Sequence, residues 1–193
     1  MTKTRPTASE SGCKSQRTSQ GYLRKISNTL FAALQAHVWK CRGKKVVISN
    51  GCFDILHVGH IKFLEAAKAR GDYLIVGINS DRAVSVLKGP SRPINKQGDR
   101  MAVIAALESV DLVVLVDAVR VHDFIEAIRP NVWAKGSDYT ADTLDHGEAM
   151  AARRVKAEIA LLKLVEGVST TNVVNTIRQQ PEGRRTQQRG RRK

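Results

Sequence analysis

The chain has 193 residues, 42% of them hydrophobic, and a formal net charge of +14. This length suits one domain with its own core, and no apolar run approaches the roughly 18 residues of a membrane span. Three widely spaced cysteines, Cys13, Cys41 and Cys52, form no CxxC pair. Their pattern predicts a reducing, cytoplasmic setting and excludes a disulfide framework.

The excess of basic residues lies at the two ends of the chain. Residues 1–25 hold six Lys/Arg and one Glu, and residues 178–193 hold seven Lys/Arg and one Glu. The stretch between them therefore carries a net charge of only +3. Neither end shows hydrophobic periodicity. We predict disordered basic tails at 1–20 and 179–193 around one domain at 21–178. Two roles remain open for the tails: solubilising the chain, or weak contact with nucleic acid.

The order of the predicted elements indicates the fold class. Apolar residues at spacings of three and four from Leu23 to Val38 predict an amphipathic helix of about 17 residues. Five apolar runs then read as strands, at 46–49, 73–79, 112–116, 132–134 and 157–164. Helical patterns alternate with them at about 61–70, 82–87, 99–109, 121–128, 143–154 and 170–178. The alternation predicts a Rossmann-like α/β fold: an open, mostly parallel five-stranded sheet with helices on both faces.

The turn after the first predicted strand carries the strongest functional signal, Asn-Gly-Cys-Phe-Asp-Ile-Leu-His-Val-Gly-His at residues 50–60. It lies at the carboxyl end of a strand, where a helix N-terminus attracts anions. His57 and His60 are three residues apart, so both can reach a phosphate from one side of a helical turn. Gly51 and Gly59 let a ligand approach the backbone closely. The pattern predicts a site for a nucleoside triphosphate.

Other interpretations of this turn remain open. The two histidines are also compatible with solvated residues or with zinc, but a zinc site normally needs three or four ligands. Cys52 is the one other soft ligand nearby, and its place in this turn is also compatible with a nucleophile. Asp54, the only carboxylate of the turn, either holds magnesium through water or orients the backbone as a cap.

Six ordered motifs carry a family resemblance that covers roughly residues 22–178. They are Asn50 to His60, Gly71 to Asp81, Leu87 to Asn95, Arg100 to Asp111, Lys135 to Tyr139 and Glu166 to Thr171. Together they resemble the cytidylyltransferase-like nucleotidyltransferases, and within that superfamily most of all the ADP-heptose synthases, which are D-glycero-β-D-manno-heptose 1-phosphate adenylyltransferases. The His-x-Gly-His signature alone specifies only the superfamily.

The resemblance implies a role for each matched residue. The expected catalytic residues are His57, His60, Lys88 and Lys135. Lys88 and Arg92 are expected to bind the acceptor. The expected nucleotide-binding residues are Gly51, Cys52, Phe53, Asp54, Gly59, Asn79, Asp81, Arg100, Gly136, Asp138, Ser169 and Thr170. The position of Arg100 near a predicted helix N-terminus, where the macrodipole disfavours cations, also suggests a phosphate contact. No metal ligated directly by the protein is predicted.

The choice of nucleotide and acceptor rests on the resemblance. Leu164 stands where related cytidylyltransferases carry arginine, which favours ATP as nucleotide and a sugar 1-phosphate as acceptor. We therefore expect AMP transfer to heptose 1-phosphate, with Mg²⁺ as cofactor because the triphosphate brings about four negative charges. A CTP-dependent enzyme acting on glycerol 3-phosphate, and an inactive fold that binds nucleic acid through its tails, are the alternatives. Membrane association is not expected, and a homodimer is left open.

Overall fold

A computed structural model describes residues 21–136, 143–163, 165 and 167–179. The strands are β1 (Ile26–Ser27), β2 (Val46–Gly51), β3 (Tyr73–Asn79), β4 (Leu112–Val116), β5 (Val132–Gly136) and β6 (Glu158–Leu162). After a 3-10 turn at Gly21–Lys25, the helices are α1 (Thr29–Cys41), α2 (Val58–Lys68), α3 (Asp81–Lys88), α4 (Gln97–Ala105), α5 (His122–Ile128), α6 (His146–Arg154) and α7 (Thr170–Gln179). No described helix is long and apolar enough to span a membrane.

All strand pairs are parallel, and the order across the sheet is β1-β4-β3-β2-β5-β6. The fold class is as predicted, but the sheet has six strands and not five. The additional strand is β1, whose two residues pair with Val113 and Val114 of β4. Two residues are too few to show the period-two alternation by which a strand is read from sequence, and the prediction assigned them to a helix.

The predicted N-terminal helix begins later than expected and buries a different face. Asn28 caps α1, its Oδ1 accepting a hydrogen bond from the backbone N–H of Phe31 at 2.8 Å. The buried residues are Ala32 and Ala36, while Leu34 is 61% exposed. The helix thus buries two small residues, which let its backbone approach the sheet closely. Leu34, which belongs to the predicted apolar stripe, faces solvent.

The sheet separates two apolar clusters. One contains Phe63 and Leu64 of α2 together with Ile104 of α4, and the other contains Ala36 of α1, Ile125 of α5 and residues of α6. The strands are apolar on both sides, as the near-continuous Val/Ile/Leu runs predict for a covered parallel sheet. Helices α2 and α5 therefore lie on opposite faces of the sheet.

The strand order places a ligand site between β2 and β5. The chain runs from β2 outward through β3 to β4, then returns to the other side of β2 for β5 and β6. Helix α2, which follows β2, and helix α6, which follows β5, pack on opposite faces of the sheet at this reversal, which opens a crevice at the carboxyl ends of the strands.

Candidate active site

A cleft of about 630 Å³ occupies this crevice. Most of the predicted site residues meet there. Those lining it are Gly51, Cys52, Phe53, Asp54, His57, Gly59, His60, Asn79, Lys88, Arg92, Lys135, Gly136, Ser169 and Thr170. Residues from five separate motifs along the chain thus converge on one cavity. Asp138 and Leu164 lie outside the described residues, so the expectations placed on them stay predictions.

The two histidines form a stacked pair at the mouth of α2. Their ring centroids are 3.7 Å apart with an interplanar angle of 20°, and the ring of Phe53 contacts His60 edge-on at 5.1 Å. His57 is the N-cap residue of α2, yet its side chain makes no capping hydrogen bond. The Nδ1 atoms of both rings are buried and have no hydrogen-bond partner among the described residues. Buried polar atoms are normally paired, so these two are exceptions. Both rings line the cleft, which places the pair to meet an incoming ligand.

Gly59 leaves room for the ring of His57. A Cβ placed on it would lie 3.0 Å from two atoms of the His57 ring, so a larger residue would require this ring to shift. The glycine of the His-x-Gly-His motif therefore serves ring packing as well as the approach of a ligand.

Burial keeps both histidines uncharged in the unliganded protein. Loss of solvent and the nearby ring of His57 lower the pKa of His60 to about 4, opposed by a hydrogen bond with the Ile55 backbone. Burial also lowers the pKa of His57. Two neutral imidazoles can stack at this distance without charge repulsion, and a polyanion would favour the protonated form of either ring.

Asp54 organises a loop instead of presenting a free carboxylate. It is 6% exposed, and its oxygens accept hydrogen bonds from Arg92 Nη1 at 2.6 Å and from the backbone N–H groups of Ile94 and Asn95 at 2.8 and 2.9 Å. Burial raises the pKa of Asp54, but these donors outweigh it and hold the pKa below its usual value. Of the two roles considered for Asp54, the structure shows backbone orientation.

Arg92 also lines the cleft, and its guanidinium is already paired with Asp54.

Cys52 is a turn residue whose thiol pKa is raised by burial, which disfavours the thiolate that a nucleophile needs. Among the described residues, no group of three or more His, Cys, Asp or Glu side chains could hold a metal ion.

The structure places Arg100 and Asp81, two of the predicted nucleotide-binding residues, outside the lining of the cleft. The Arg100 side chain is fully buried and does not line the cleft. Its guanidinium donates to the carbonyl oxygens of Cys52, Asn79 and Asn95 and to Asp81 Oδ1. Arg100 thus joins the ends of β2 and β3 to the loop before α4, below the site. These acceptors offset the unfavourable interaction of the Arg100 charge with the helix macrodipole.

Replacing Arg100 by methionine should lower the free energy of unfolding by about 3 kcal/mol, because buried carbonyls and a carboxylate lose their donor. Urea unfolding measures the loss. Arg82→Met is the matched control, since Arg82 pairs with Asp117 through a side chain that is 70% exposed and should cost less than about 1 kcal/mol. Equal losses in the two variants would contradict the bracing role.

Lys135 enters the cleft from β5 in a buried polar network. Its side chain is 7% exposed, and its Nζ lies 3.4 Å from Glu148 Oε2 and 3.4 Å from Asn50 Oδ1. Asn50 also accepts a hydrogen bond from Trp133 Nε1 at 3.2 Å. A buried cation held by a carboxylate and an amide is fixed in position, so Lys135 is placed to meet a ligand anion without rearrangement.

The N-terminus of α7 closes the α2 side of the cleft. Ser169 Oγ accepts a hydrogen bond from the backbone N–H of Asn172 at 3.1 Å, which is a capping contact. Thr170 Oγ1 donates to the carbonyl of Ile55 at 3.4 Å and so joins α7 to the histidine loop. The two helix N-termini therefore lie side by side, an arrangement that attracts phosphate oxygens.

Sequence reasoning missed Arg120 and Glu148, which both line the cleft. Arg120 lies in the loop between β4 and α5, and its Nε is paired with Asp145 Oδ2 at 3.2 Å. Asp145 caps α6, with its Oδ1 accepting a hydrogen bond from Glu148 N at 3.1 Å. The Asp-x-x-Glu spacing signals a helix start. This spacing predicts that Asp145 and Glu148 lie at a helix N-terminus, but it does not predict that they lie near the cleft.

Three comparisons with known proteins agree with this geometry. A family model described as cytidylyltransferase-like matches residues 48–176. The bifunctional protein HldE of Methylobacillus flagellatus is 46% identical over 153 residues, which is 79% of this chain and 31% of that protein. HldE of Caulobacter vibrioides is 48% identical over 136 residues, 70% of this chain and 28% of that protein.

This chain thus spans less than a third of the length of the curated relatives that it matches. Among solved structures, the lipopolysaccharide core biosynthesis protein from Thermoplasma volcanium GSS1 is similar, with a TM-score of 0.52 and 26% sequence identity. The likeness covers 64% of this chain and 98% of that one.

Proposed function

This chain belongs to the cytidylyltransferase-like family of nucleotidyltransferases, and we propose that it joins the AMP moiety of ATP to a sugar 1-phosphate, releasing pyrophosphate. Heptose 1-phosphate is the proposed acceptor and an ADP-sugar the product. The observation that carries the proposal is the stacked histidine pair, whose two buried Nδ1 atoms have no partner among the described residues. The direct test is pyrophosphate release, which should require both substrates.

The proposed reaction needs no covalent intermediate with the protein. An oxygen of the acceptor phosphate attacks the α-phosphorus of ATP, a new P–O bond forms, and the bond to the β-phosphate breaks as pyrophosphate departs in line. Catalysis of this kind consists of positioning and of neutralising developing charge. His57, His60 and the N-termini of α2 and α7 serve this role, with Lys135 at the cleft wall.

Lys88 and Arg92 are proposed to contact the acceptor side of the cleft. Lys88 ends α3, is exposed, and lines the cleft. A flexible lysine at a helix end can follow a phosphate as the bond forms. Arg92 is held by Asp54, so its role depends on the donors that this pairing does not engage.

We propose that the divalent metal is Mg²⁺ and that it enters as part of the ATP complex. The described residues hold no cluster that would cage a metal, and Asp54 is engaged by Arg92 and two backbone N–H groups. Mg²⁺ commonly keeps several waters and binds substrate phosphates, which suits a cleft with cationic and N–H donors.

The acceptor is supported by the relatives and by the resemblance together. The similar relatives carry the name HldE, and the similar solved structure is a lipopolysaccharide core biosynthesis protein. Both agree with the sequence resemblance to heptose 1-phosphate adenylyltransferases. The match covers 31% of the HldE chain. We therefore propose for this chain only one of the two activities that the name bifunctional implies. A cytoplasmic location and a homodimer stay predictions.

Triphosphate binding should take up protons below neutral pH. In the free protein, His60 protonates only near pH 4, whereas a bound polyanion raises this pKa. Between the two values the free ring is neutral and the bound ring is charged. Calorimetry of Mg-ATP binding at about pH 6, in buffers of different ionisation enthalpy, should show proton uptake that His60→Gln reduces. Equal uptake by that variant would contradict the assignment.

Contact of the basic tails with nucleic acid is proposed as weak and separate from catalysis. The described residues that line the cleft all lie between Asn50 and Thr171. Deleting residues 1–20 and 180–193 should therefore leave the transfer rate within about twofold, while any binding to nucleic acid loses most of its salt dependence. Rate assays and filter binding measure the two effects. Loss of transfer on deletion would make the tails part of the active site.

A further inference from the structure

Arg120 stands in the wall of the cleft outside every motif that the sequence resemblance uses. Its side chain is 54% exposed, and its Nε is paired with Asp145 Oδ2 at 3.2 Å. Within the described part of the chain, the two Nη groups have no protein partner. A guanidinium oriented through Nε still presents two parallel donors, the arrangement that binds a phosphate in a bidentate manner.

The loop that carries Arg120 is fixed on both sides of it. Asp117 accepts a hydrogen bond from Ser80 Oγ at 2.6 Å, and the carbonyl of Ala118 accepts one from Asn79 Nδ2 at 3.2 Å. Beyond Arg120, the backbone N–H of Val121 donates to the buried Glu148 Oε1 at 3.0 Å. The position of Arg120 is therefore set before a ligand arrives, which lowers the entropic cost of binding.

The first turn of α6 positions two cations of the cleft together. Its cap residue Asp145 pairs with Arg120, and Glu148 pairs with Lys135 at 3.4 Å while holding the Arg120 loop. One helix start thus sets the geometry of both basic groups. The pairing is local and does not involve α2 or α7.

Arg120 and the histidine pair approach the cleft from opposite faces of the sheet. His57 precedes α2, which packs in one apolar cluster, and Arg120 precedes α5, which packs in the other. In an in-line displacement, the attacking oxygen and the leaving oxygen lie on opposite sides of the phosphorus. If the triphosphate lies against the histidines and the N-terminus of α7, the attacking phosphate enters from the side where Arg120 lies.

We propose that Arg120 binds the phosphate of the acceptor and acts as a specificity residue for phosphorylated acceptors. This inference rests on the proposed function. The non-attacking oxygens of the acceptor phosphate receive the two Nη donors, and Asp145 is the positioning residue that keeps the guanidinium in the required plane.

Kinetics on the full chain with Mg-ATP and heptose 1-phosphate test the assignment. Arg120→Ala should raise the acceptor KM about tenfold or more, as expected for a lost charged hydrogen bond, and change the ATP KM less than about twofold. The acceptor KM of Arg120→Lys should lie between those of the wild type and Arg120→Ala, since lysine keeps the charge but loses the two parallel donors of the guanidinium. Asp145→Asn retains a capping residue and should raise the acceptor KM by a smaller factor.

Arg154→Ala is the matched control, because Arg154 is an exposed arginine paired with Glu126 on the outside of α6, and it should change neither constant. An unchanged acceptor KM in Arg120→Ala, or an equal rise in the ATP KM, overturns the assignment of Arg120. A wild-type chain that transfers AMP to no phosphorylated acceptor overturns the proposed function itself. The variant therefore tests the role of Arg120, and the wild-type chain tests the proposed function.

Discussion

Replacing His57 or His60 with alanine is expected to lower the turnover number about a hundredfold or more, the effect typical of losing one transition-state donor. Both rings line the cleft, where they can donate to the phosphates of a bound triphosphate. Negative charge grows on the phosphate oxygens as the leaving bond lengthens, so a donor placed there stabilises the transition state more than the ground state.

The histidine variants should remain folded. Both rings lie at the start of α2 and lose only local contacts, among them their mutual stacking and, for His60, a hydrogen bond with the Ile55 backbone. The thermal unfolding midpoint should therefore fall only modestly. His122→Ala is the matched control, because His122 is 46% exposed at the start of α5 and pairs only with neighbouring Asp123 among the described residues. Turnover near the wild-type value in either cleft variant, with a folded chain and every acceptor tested, would show that the site is wrongly assigned.

Removing divalent metal with a chelator should abolish nucleotidyl transfer, and adding Mg²⁺ should restore it. A triphosphate carries about four negative charges, and the basic residues of the cleft are partly neutralised in advance: Arg92 by Asp54, Arg120 by Asp145, and Lys135 by Glu148. Without the metal, the phosphates would meet too little positive charge for the leaving group to depart.

The chelator should leave the thermal unfolding midpoint unchanged, because the described residues form no metal cluster on which folding depends. Initial rates of pyrophosphate release, followed across a Mg²⁺ titration, measure the catalytic requirement. Full activity in excess chelator would contradict a metal-bound triphosphate as substrate.

The sequence predicts the site through the order of its strands and turns. Parallel strands share one carboxyl edge, so the alternation of strands and helices predicts that the turn holding His57 and the end of the strand before Lys135 lie at the same edge of the sheet. The structure adds the strand order that brings β2 beside β5. His57 and Lys135 both line the cleft, and their catalytic roles stay predictions.

What the sequence could not predict depends on contacts between distant segments. Arg100 resembled a phosphate ligand because its acceptors, the carbonyls of Cys52, Asn79 and Asn95, are backbone atoms that no sequence pattern shows. Arg120 was missed because its loop and side chain are held by distant residues, among them Asp145, 25 positions along the chain. The exposure of Leu34 in α1 has a similar origin, since the smaller Ala36 lies on the face that packs on the sheet.

The measurement that tests the central claim most directly is pyrophosphate release with ATP or CTP, each paired with heptose 1-phosphate or glycerol 3-phosphate. The account predicts Mg²⁺-dependent release with ATP and heptose 1-phosphate, together with formation of an ADP-sugar, and much slower release in the other three combinations. A clear preference for CTP with glycerol 3-phosphate would contradict the proposed substrates, even though fold and reaction type would stand. No release in any combination, from a folded chain, would contradict the nucleotidyl transfer itself.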